Sequence, residues 1–462
     1  MKKINYFYKS IFFHAAISFF LLFPAPANAT FTVPALSELG EKSWVENKIK
    51  EYPELEWLLS DAVQHTQEGK SEQYKYEHSW SKKLKGKHYP EFERTILSIV
   101  SLHLIVNGSD QAYKRFTSLQ PQKDKLSLVS FKRLHEFANS IIENDLHFLQ
   151  TLEVNLILGD MGKTQTARLK AKKYGIIESD HDIFLDACLK KCPGIFPTFL
   201  SISDKAKKIL KKVNGLVHFG HVTHVEGGPE ILTKLKQSGT LDKDLKEFDF
   251  EILTHICDVS GARGHEDNSG SKVLTENTFK SIESVKEAIH FLKEHSEKEA
   301  MEHYIHARAN LLGLDKNKQI YILARIGSML RLFSKEEGKA LKDAYASLSF
   351  DQKMLLQEEL DPLTYRTERT PTYVPALLVN LSSTLEKQGL TRYQAIQECI
   401  TKGSVFIAQV LRAYRTGKTN VPYNPQLTLN FNKAAGQVRD NPALLNNISF
   451  KIDSDLNVII IK

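Results

Sequence analysis

Histidines and aspartates in the middle third of this 462-residue chain lie inside apolar segments that have helical spacing. In chain order they are His135, Asp160, His181, His218, His221, His224 and Asp258. Imidazoles and carboxylates ligate hard or borderline divalent cations. A carboxylate in an apolar segment would be a costly buried charge without a cation or another partner. The pattern predicts a mostly α-helical chain with an organised polar site. As an alternative to metal binding, Asp160 and Asp258 could cap helices or form a salt bridge with Lys163.

The first 29 residues have the three-part pattern of a secretory signal peptide. Three lysines precede an apolar stretch at residues 11–23, and Ala27-Asn28-Ala29 supplies a small-residue cleavage site. The apolar stretch is short for a membrane span. We therefore expect cleavage after Ala29, export to the periplasm or beyond the cell, and no stable membrane anchor afterwards. An uncleaved anchor is the alternative.

The charge balance argues against nucleic acid as a partner. Removing the signal peptide removes three lysines and no acids, so the formal charge falls from +7 to +4, a mild excess for a chain of this length. Lysines cluster at Lys170, Lys172 and Lys173, interleaved with apolar residues. We interpret them as a solvated helix face, with attraction of phosphate as the alternative.

The chain has four cysteines and no Cys-x-x-Cys pair, which excludes a structural zinc ribbon. Cys188 and Cys192 are one helical turn apart, so a local disulfide could join them. Cys257 and Cys399 are expected to be buried thiols.

Apolar spacing divides the mature chain into an N-terminal helical region at 30–125, a core at 126–275, a C-terminal helical region at 276–418 and a small β element at 419–462. The strongest apolar helix runs from Phe92 to Val106 and ends at Asn107-Gly108. Beyond the core we expect helices at 282–312, 317–333, 335–346, 350–358, 373–388 and 392–414. The β element rests on the segments LTLNFN, ISFKI and NVIII.

Gly159-Asp160-Met161-Gly162-Lys163 invites interpretation as a phosphate-binding loop. That loop needs a glycine five residues before Gly162, and position 157 is isoleucine. The phosphate-loop interpretation is therefore rejected.

The segment Leu156–Lys163 instead resembles the His-Asp helix of the HD metal-dependent phosphohydrolase superfamily, with Gly159 where that family has its histidine. Leu134-His135 is similar to the family's first histidine helix, and Ile252–Asp258 to the helix that bears its last aspartate. His181 and the His218, His221 and His224 group are similar to the extra ligands of two-metal members. The resemblance covers roughly residues 130–270.

The resemblance implies an HD-like helical core and one or two divalent cations, with Mn, Fe, Mg and Zn left open. It also implies a small phosphorylated or nucleotide-like substrate. Residues spaced by three lie side by side on a helix, so His218, His221 and His224 would form one stripe. The implied metal ligands are His135, Asp160, His181, His218, His221 and Asp258. Asp160 and Lys163 would be catalytic, and His224, Arg263 and His265 would bind substrate.

Two further expectations stay open at this point. The polar stretch Ser260–Ser271 is either a substrate lip or a plain surface turn. The same ligand set supports iron-dependent oxygenation, as in myo-inositol oxygenase. A non-catalytic secreted binding protein is the alternative from another class, favoured by Gly159 and by the helical extensions on both sides.

Overall fold

The structure of the protein is a computed structural model. It describes residues 34–60, 78–143, 145–178, 180–241, 245–314, 319–364, 369–447 and 449–461. The predicted signal peptide lies outside these residues. Val33–Lys462 form one compact unit, so the division at residues 125, 275 and 418 stays a prediction.

Helices form almost all of the regular structure, which confirms the predicted fold class. The first half of the chain contains α1 (Lys42–Glu51), α2 (Leu55–Leu58), α3 (Trp80–Lys85), α4 (Pro90–Asn107), α5 (Asp110–Phe116), α6 (Leu128–Ile142), α7 (Leu146–Gly159), α8 (Gln165–Lys172), α9 (His181–Lys191), α10 (Pro197–Ser201), α11 (Asp204–Val213) and α12 (Phe219–Thr223). The second half contains α13 (Glu230–Gln237), α14 (Lys246–Gly261), α15 (Glu276–Leu292), α16 (Glu297–Leu311), α17 (Ile320–Met329), α18 (Lys335–Ser347), α19 (Phe350–Leu360), α20 (Val374–Lys387), α21 (Arg392–Glu398), α22 (Val405–Arg415) and α23 (Asn432–Asp440).

The core is organised around α4, the apolar helix expected from the sequence. Pro90 occupies its first turn, where a missing N–H costs nothing, and Gly108 ends it with a left-handed φ of 62°. Almost every side chain of α4 is buried, and the helix packs against α14, α6 and α7. Of these four helices, α7 and α14 carry residues of the candidate site.

A closed group of buried charged side chains connects the N-terminal helix α1 to this core. The carboxylate of Glu153 is fully buried on α7. It accepts hydrogen bonds from Lys48 Nζ at 2.8 Å and Tyr52 Oη at 2.6 Å, and it pairs with His103 Nε2. Each partner comes from α1, α4 or the residue that follows α1, so the network fastens three segments together.

The predicted helix at 282–312 is wrong as a single element. Ser296 begins a new helix, α16, because its hydroxyl accepts from the Glu299 backbone N–H while the Glu299 carboxylate accepts from the Ser296 backbone N–H. This reciprocal capping box satisfies two of the N–H groups that a helix start leaves without partners. The predicted helix at 392–414 likewise contains a π-helical turn, Cys399–Ser404, between α21 and α22.

The C-terminal β element is smaller than the sequence suggests. Only β1 (Phe450–Ile452) and β2 (Val458–Ile460) pair as strands, antiparallel, with Phe450 opposite Ile460. The LTLNFN segment contributes isolated bridges at Asn430, where the backbone of 429–431 joins Thr372 on one side and residues 456–458 on the other. Helix α23 was missed because its buried face is made of small residues, chiefly alanines.

Among the described residues, no helix is long and apolar enough to cross a lipid bilayer.

Candidate functional site

Asp160 lies at the end of α7 and is held by its neighbours on both carboxylate oxygens. Thr95 Oγ1 donates to Oδ2 at 2.5 Å, and Lys163 Nζ donates to Oδ1 at 2.7 Å. Lys163 also donates to Glu91 Oε2 at 2.9 Å. Although burial lowers the pKa of Lys163, the Asp160 and Glu91 carboxylates raise it above its ordinary value. Lys163 is thus a fixed cation that orients Asp160.

A close approach at Gly162 brings the start of α9 against this turn. A Cβ at position 162 would lie 2.7 Å from backbone atoms of His181, so only glycine fits. Asp180 caps α9, its carboxylate accepting from the backbone N–H groups of Asp182 and Ile183. The cap fixes His181 and Asp182 beside the Asp160 turn.

Asp182 joins two imidazoles. His218 Nε2 lies 3.0 Å from Asp182 Oδ2, and His181 Nε2 lies 3.5 Å from Asp182 Oδ1. One ligand atom from each of Asp180, His181 and Asp182 falls within 4.8 Å of the others, close enough to share a metal ion. The side chains of Asp182 and His218 are 46% and 41% exposed, so the group is open to solvent.

His218 and His221 are neighbours at the start of α12. In its neutral form His218 caps the helix, because Nδ1 then accepts the His221 backbone N–H at 3.2 Å while Nε2 is turned toward Asp182. The two rings lie 3.9 Å apart, and His221 Nε2 is 3.3 Å from Glu226 Oε2. Burial lowers the pKa of His218, but the Asp182 hydrogen bond and charge raise it to about 9. Burial and the His218 charge lower the pKa of His221 to about 3.

One face of α14 supplies further residues of the candidate site. Glu251, His255 and Asp258 follow one another at intervals of four and three, which aligns them along one face of the helix. Between Phe250 and Gly261 the side chains that are not buried are these three and Val259. The open stripe of an otherwise buried helix is therefore made almost wholly of titratable groups.

The carboxylates on this face of α14 have raised pKa values because of burial and of other acids nearby. Burial, followed by the charges of Asp160 and Asp182, raises the pKa of Asp258, while Lys163 and Arg94 oppose the rise. Burial also raises the pKa of Glu251 to about 8, with Asp182 and Asp258 adding to the effect. Carboxylates thus exceed the nearby cations, which is the condition that a divalent metal ion relieves.

Glu226, close to His221 in sequence, and Tyr373, from a distant part of the chain, complete the site. Burial raises the pKa of Glu226 to about 7. Its backbone carbonyl and that of Val225, which has a left-handed φ of 50°, are held by the Arg325 guanidinium. Tyr373, at the start of α20, also has a positive φ (63°) and is 48% exposed. Burial and the charges of Asp180, Asp182 and Glu226 raise its pKa, so Tyr373 lies at the edge of the same cluster.

The structure does not bring His135 to this cluster. His135 Nδ1 lies 2.9 Å from the carbonyl oxygen of Ile105, near the end of α4, whereas Asp160 meets Thr95. Those two positions on α4 are ten residues apart, about 15 Å along a helix. The prediction of His135 as a metal ligand is wrong for this reason.

The predicted stripe of three histidines also ends early. Helix α12 stops at Thr223, and His224 turns its Nδ1 toward the carbonyl oxygen of Ser328 at 3.3 Å. Burial and the charges of Arg331 and Arg308 lower the pKa of His224. His224 packs among the C-terminal helices and is not placed to bind a substrate beside Asp182.

The stretch Ser260–Ser271 is neither a substrate lip nor a plain surface turn. His265 is only 2% exposed, and Arg263 is bound to Glu266, which also pairs with Lys272 at 2.6 Å. Asn268 Nδ2 donates to the buried carboxylate of Glu93 at 2.7 Å. This stretch packs on the start of α4 and encloses His265, so His265 is not accessible to a substrate. The substrate role of Arg263, whose side chain is half exposed, stays a prediction.

All four cysteines are buried thiols, as expected for Cys257 and Cys399. Cys188 and Cys192 are not joined in a disulfide, and burial together with the neighbouring Cys192 raises the pKa of Cys188 to about 12.

Sequence reasoning thus found Asp160, Lys163, His181, His218, His221 and Asp258, which the fold gathers in one region. It gave no role to Asp182 or Glu226, which stand beside the predicted histidines in the sequence, and it missed Glu251 and Tyr373. The Glu-x-x-x-His-x-x-Asp spacing of α14 is a signal that would have found Glu251.

Comparison with known proteins places the chain in a family. Residues 49–426 match the model of a family of unknown function (DUF6829). The chain belongs to this family. No curated protein and no solved structure matches it.

Proposed function

We propose that the protein is a metal-dependent hydrolase that acts on a small phosphorylated or nucleotide-like molecule. The observation that carries this proposal is the open group of Asp182, His181 and His218, with the carboxylates of Asp160 and Asp258 close enough to interact by charge. A group of this composition, drawn from four separate helices or their ends, exceeds what packing requires.

The residues present fit a divalent cation. Asp182, His181 and His218 offer a mixed oxygen and nitrogen set, which suits Mn, Fe or Zn better than Mg. The cations nearest to the carboxylates, Lys163 and Arg94, are already paired with acids, since both contact Glu91. The excess negative charge of Asp160, Asp182 and Asp258 therefore favours one or two metal ions.

A divalent cation bound there supplies Lewis acidity to a water molecule and to a phosphoryl oxygen. The chain's own residues then have separate tasks. Lys163 fixes the orientation of Asp160, and Asp182 does the same for His218. Glu251 keeps its proton at neutral pH because its pKa is about 8, and it faces Asp182 and Asp258. It is therefore suited to donate a proton to a leaving oxygen.

The likeness to the HD superfamily belongs to the same proposal. Asp160 and Asp258 follow the order of that family's aspartates, and Gly159 stands where its histidine would be. A Cβ at position 159 would meet no atom within 4 Å. We propose that His181 and His218, held by Asp182, supply the imidazoles that position 159 lacks.

The test is metal stoichiometry by elemental analysis on protein purified without chelator or affinity tag, before and after reconstitution with Mn, Fe or Zn. We expect one or two metal ions per chain, lost in Asp182→Asn and Asp258→Asn. His135→Gln is the matched control and should keep its metal, because that imidazole lies outside the cluster.

Loaded protein is then assayed on a panel of phosphomonoesters and nucleotides, with and without oxygen. Phosphate release that needs the metal supports the hydrolase. Iron-dependent consumption of oxygen without phosphate release would favour the oxygenase, and the absence of metal after reconstitution would overturn both.

A further inference from the structure

Tyr373 combines a strained backbone with a half-exposed side chain at the edge of the candidate site. Its φ is 63° and its ψ is 16°, in the left-handed region. Among the described residues, Tyr373 is the only aromatic one with a positive φ. A bulky side chain rarely adopts this conformation. Strained residues of this kind persist only where the surrounding structure fixes them, and they are concentrated at functional sites.

The backbone on both sides of Tyr373 is fixed. The Thr372 N–H donates to the carbonyl oxygen of Leu429 at 2.9 Å, and the Thr372 carbonyl oxygen accepts from the Phe431 N–H at 3.0 Å. Pro375, in the first turn of α20, has a restricted φ. The contacts of its neighbours therefore hold Tyr373 in a conformation that its own side chain disfavours.

A close approach at Gly227 brings the segment before Tyr373 against the chain beside Glu226. A Cβ at position 227 would overlap Oγ1 of Thr370, so only glycine fits there. A Cβ at position 228 would also lie 3.1 Å from the carbonyl oxygen of Pro362. The two glycines that follow Glu226 thus let this segment pass directly over the edge of the site.

The hydroxyl group of Tyr373 is available to a ligand. The side chain does not cap α20, and its hydroxyl forms no hydrogen bond with any other residue that the structure describes. Burial and the charges of Asp180, Asp182 and Glu226 raise its pKa, although Lys163 opposes the rise. The hydroxyl therefore keeps its proton at neutral pH and can donate a hydrogen bond at the open side of the cluster.

A phosphoryl group in the site needs such a donor. A metal ion at Asp182 contacts only some of the phosphoryl oxygens, and the nearest cations, Lys163 and Arg94, are already paired with Glu91. We propose that Tyr373 binds the substrate, its hydroxyl donating a hydrogen bond to a phosphoryl oxygen. This inference rests on the proposed function, because the phosphoryl group must first be held beside Asp182.

Binding of inorganic phosphate to the metal-loaded protein tests this, measured by isothermal titration calorimetry. Tyr373→Phe keeps the ring and removes the hydroxyl. Because a hydrogen bond to a charged group is lost, we expect phosphate to bind about tenfold more weakly. Metal content and melting temperature should stay unchanged, which a structural role of the hydroxyl would not allow.

Tyr393→Phe is the matched control. Tyr393 is 38% exposed on α21, and its hydroxyl binds Asp343 instead of facing the site. This variant should bind phosphate as the parent protein does. Tyr373→Leu, which removes the ring as well, should bind phosphate no more tightly than Tyr373→Phe.

The outcomes separate this inference from the proposed function. If the loaded parent protein and Tyr373→Phe bind phosphate equally well, the inference is overturned and the proposed function stands. Loss of binding in Tyr373→Leu alone would likewise overturn it, because the ring and not the hydroxyl would make the contact. A parent protein that takes up no metal, or takes up metal and binds no phosphate, would overturn both.

Discussion

Two groups of histidine and carboxylate side chains in this protein are built from the same residue types and behave in opposite ways. In the Glu153 network the carboxylate is enclosed, and Lys48, Tyr52 and His103 all bind it. In the candidate site, Asp182 and His218 are exposed, and the nearby carboxylates outnumber the cations. One group is complete within the protein, and the other is not.

The pKa shifts express the same difference. Burial raises the pKa of Glu153, but Lys48 and His103 outweigh it and lower the pKa to about 2, so the protein stabilises that charge. At the site, burial and neighbouring acids raise the pKa of Glu251 and Asp258, so the protein disfavours those charges. Charges that a fold tolerates at a cost indicate a functional region. The comparison therefore separates a structural His-carboxylate group from a candidate site.

The largest effect is expected from breaking the closed network. Glu153→Gln removes the charge that the buried ammonium group of Lys48 contacts at 2.8 Å, while the Glu51 contact at 3.0 Å remains. Removing one partner of a buried ion pair costs 3–5 kcal/mol, and the remaining Glu51 contact places the loss at about 3 kcal/mol. Urea unfolding followed by circular dichroism measures it. A loss of unfolding free energy below about 1 kcal/mol would mean that the Glu153 network does not fasten the three segments together.

Two glycines next to the site should respond in opposite directions. Gly162→Ala places a Cβ 2.7 Å from the His181 backbone, so we expect a loss of about 1–3 kcal/mol and weaker metal binding. Gly159→Ala meets no atom within 4 Å on a helix, so we expect a gain of about 0.5–1 kcal/mol. Thermal unfolding of both variants gives the comparison, and an equal change in both would contradict the close approach at Gly162.

The stability of metal-free protein should fall as the pH rises above 6.5. His218 has a folded pKa of about 9 against an ordinary 6.5, so its contribution is complete below 6.5 and is lost as the pH rises toward 9. Glu226 and Glu251, with folded pKa values of about 7 and 8, act in the same direction because the folded state retains their protons. Burial of neutral His221 and His255 acts oppositely, but only below 6.5.

Melting temperatures measured in chelator between pH 6 and 9 test this. A melting temperature that stays constant or rises with pH would show that other groups in the folded protein compensate the charges of the site. Added metal should reverse the trend, because metal ions displace protons from their ligands.

The smallest effect on folding is expected at the centre of the site itself. Asp182→Asn removes a largely exposed carboxylate, so its cost should stay below about 1 kcal/mol. The same change should lower the pKa of His218 toward its ordinary value, because Asp182 is what raises it. Proton NMR of the His218 ring over a pH series measures the shift. A large loss of stability with no change in the His218 pKa would place Asp182 with the structural charges.

The sequence predicted the helical class and most helices because apolar spacing reports directly on the buried face. It overlooked α23, whose buried residues are mainly alanines, and it joined α15 to α16 across Ser296. For the site, apolar segments singled out Asp160 and Asp258, whose charges interact in the folded protein. They could not show that His135 meets the far end of α4. Apolar periodicity indicates which face of a helix is buried, but it does not indicate where along a neighbouring helix that face makes contact.

Tyr373 could not be predicted from local pattern, because it reaches the cluster from nearly 200 residues beyond Asp182. His265 was misread because a histidine in a polar loop looks exposed, whereas it is buried. Asn268 donates a hydrogen bond to the buried carboxylate of Glu93, and this contact holds Asn268 and its neighbours in the interior. Glu93 lies far away in sequence, so a local pattern could not reveal the contact.

The backbone bridges around Asn430 have a consequence for how the protein is made. Thr372, which precedes Tyr373, is held by residues 429–431, and these are held in turn by residues 456–458. Chains leave the ribosome from the N-terminus, and earlier segments fold first. The helices that carry Asp160, Asp182 and Asp258 can therefore assemble early, while the backbone contacts that hold Thr372, next to Tyr373, form only at the end of translation.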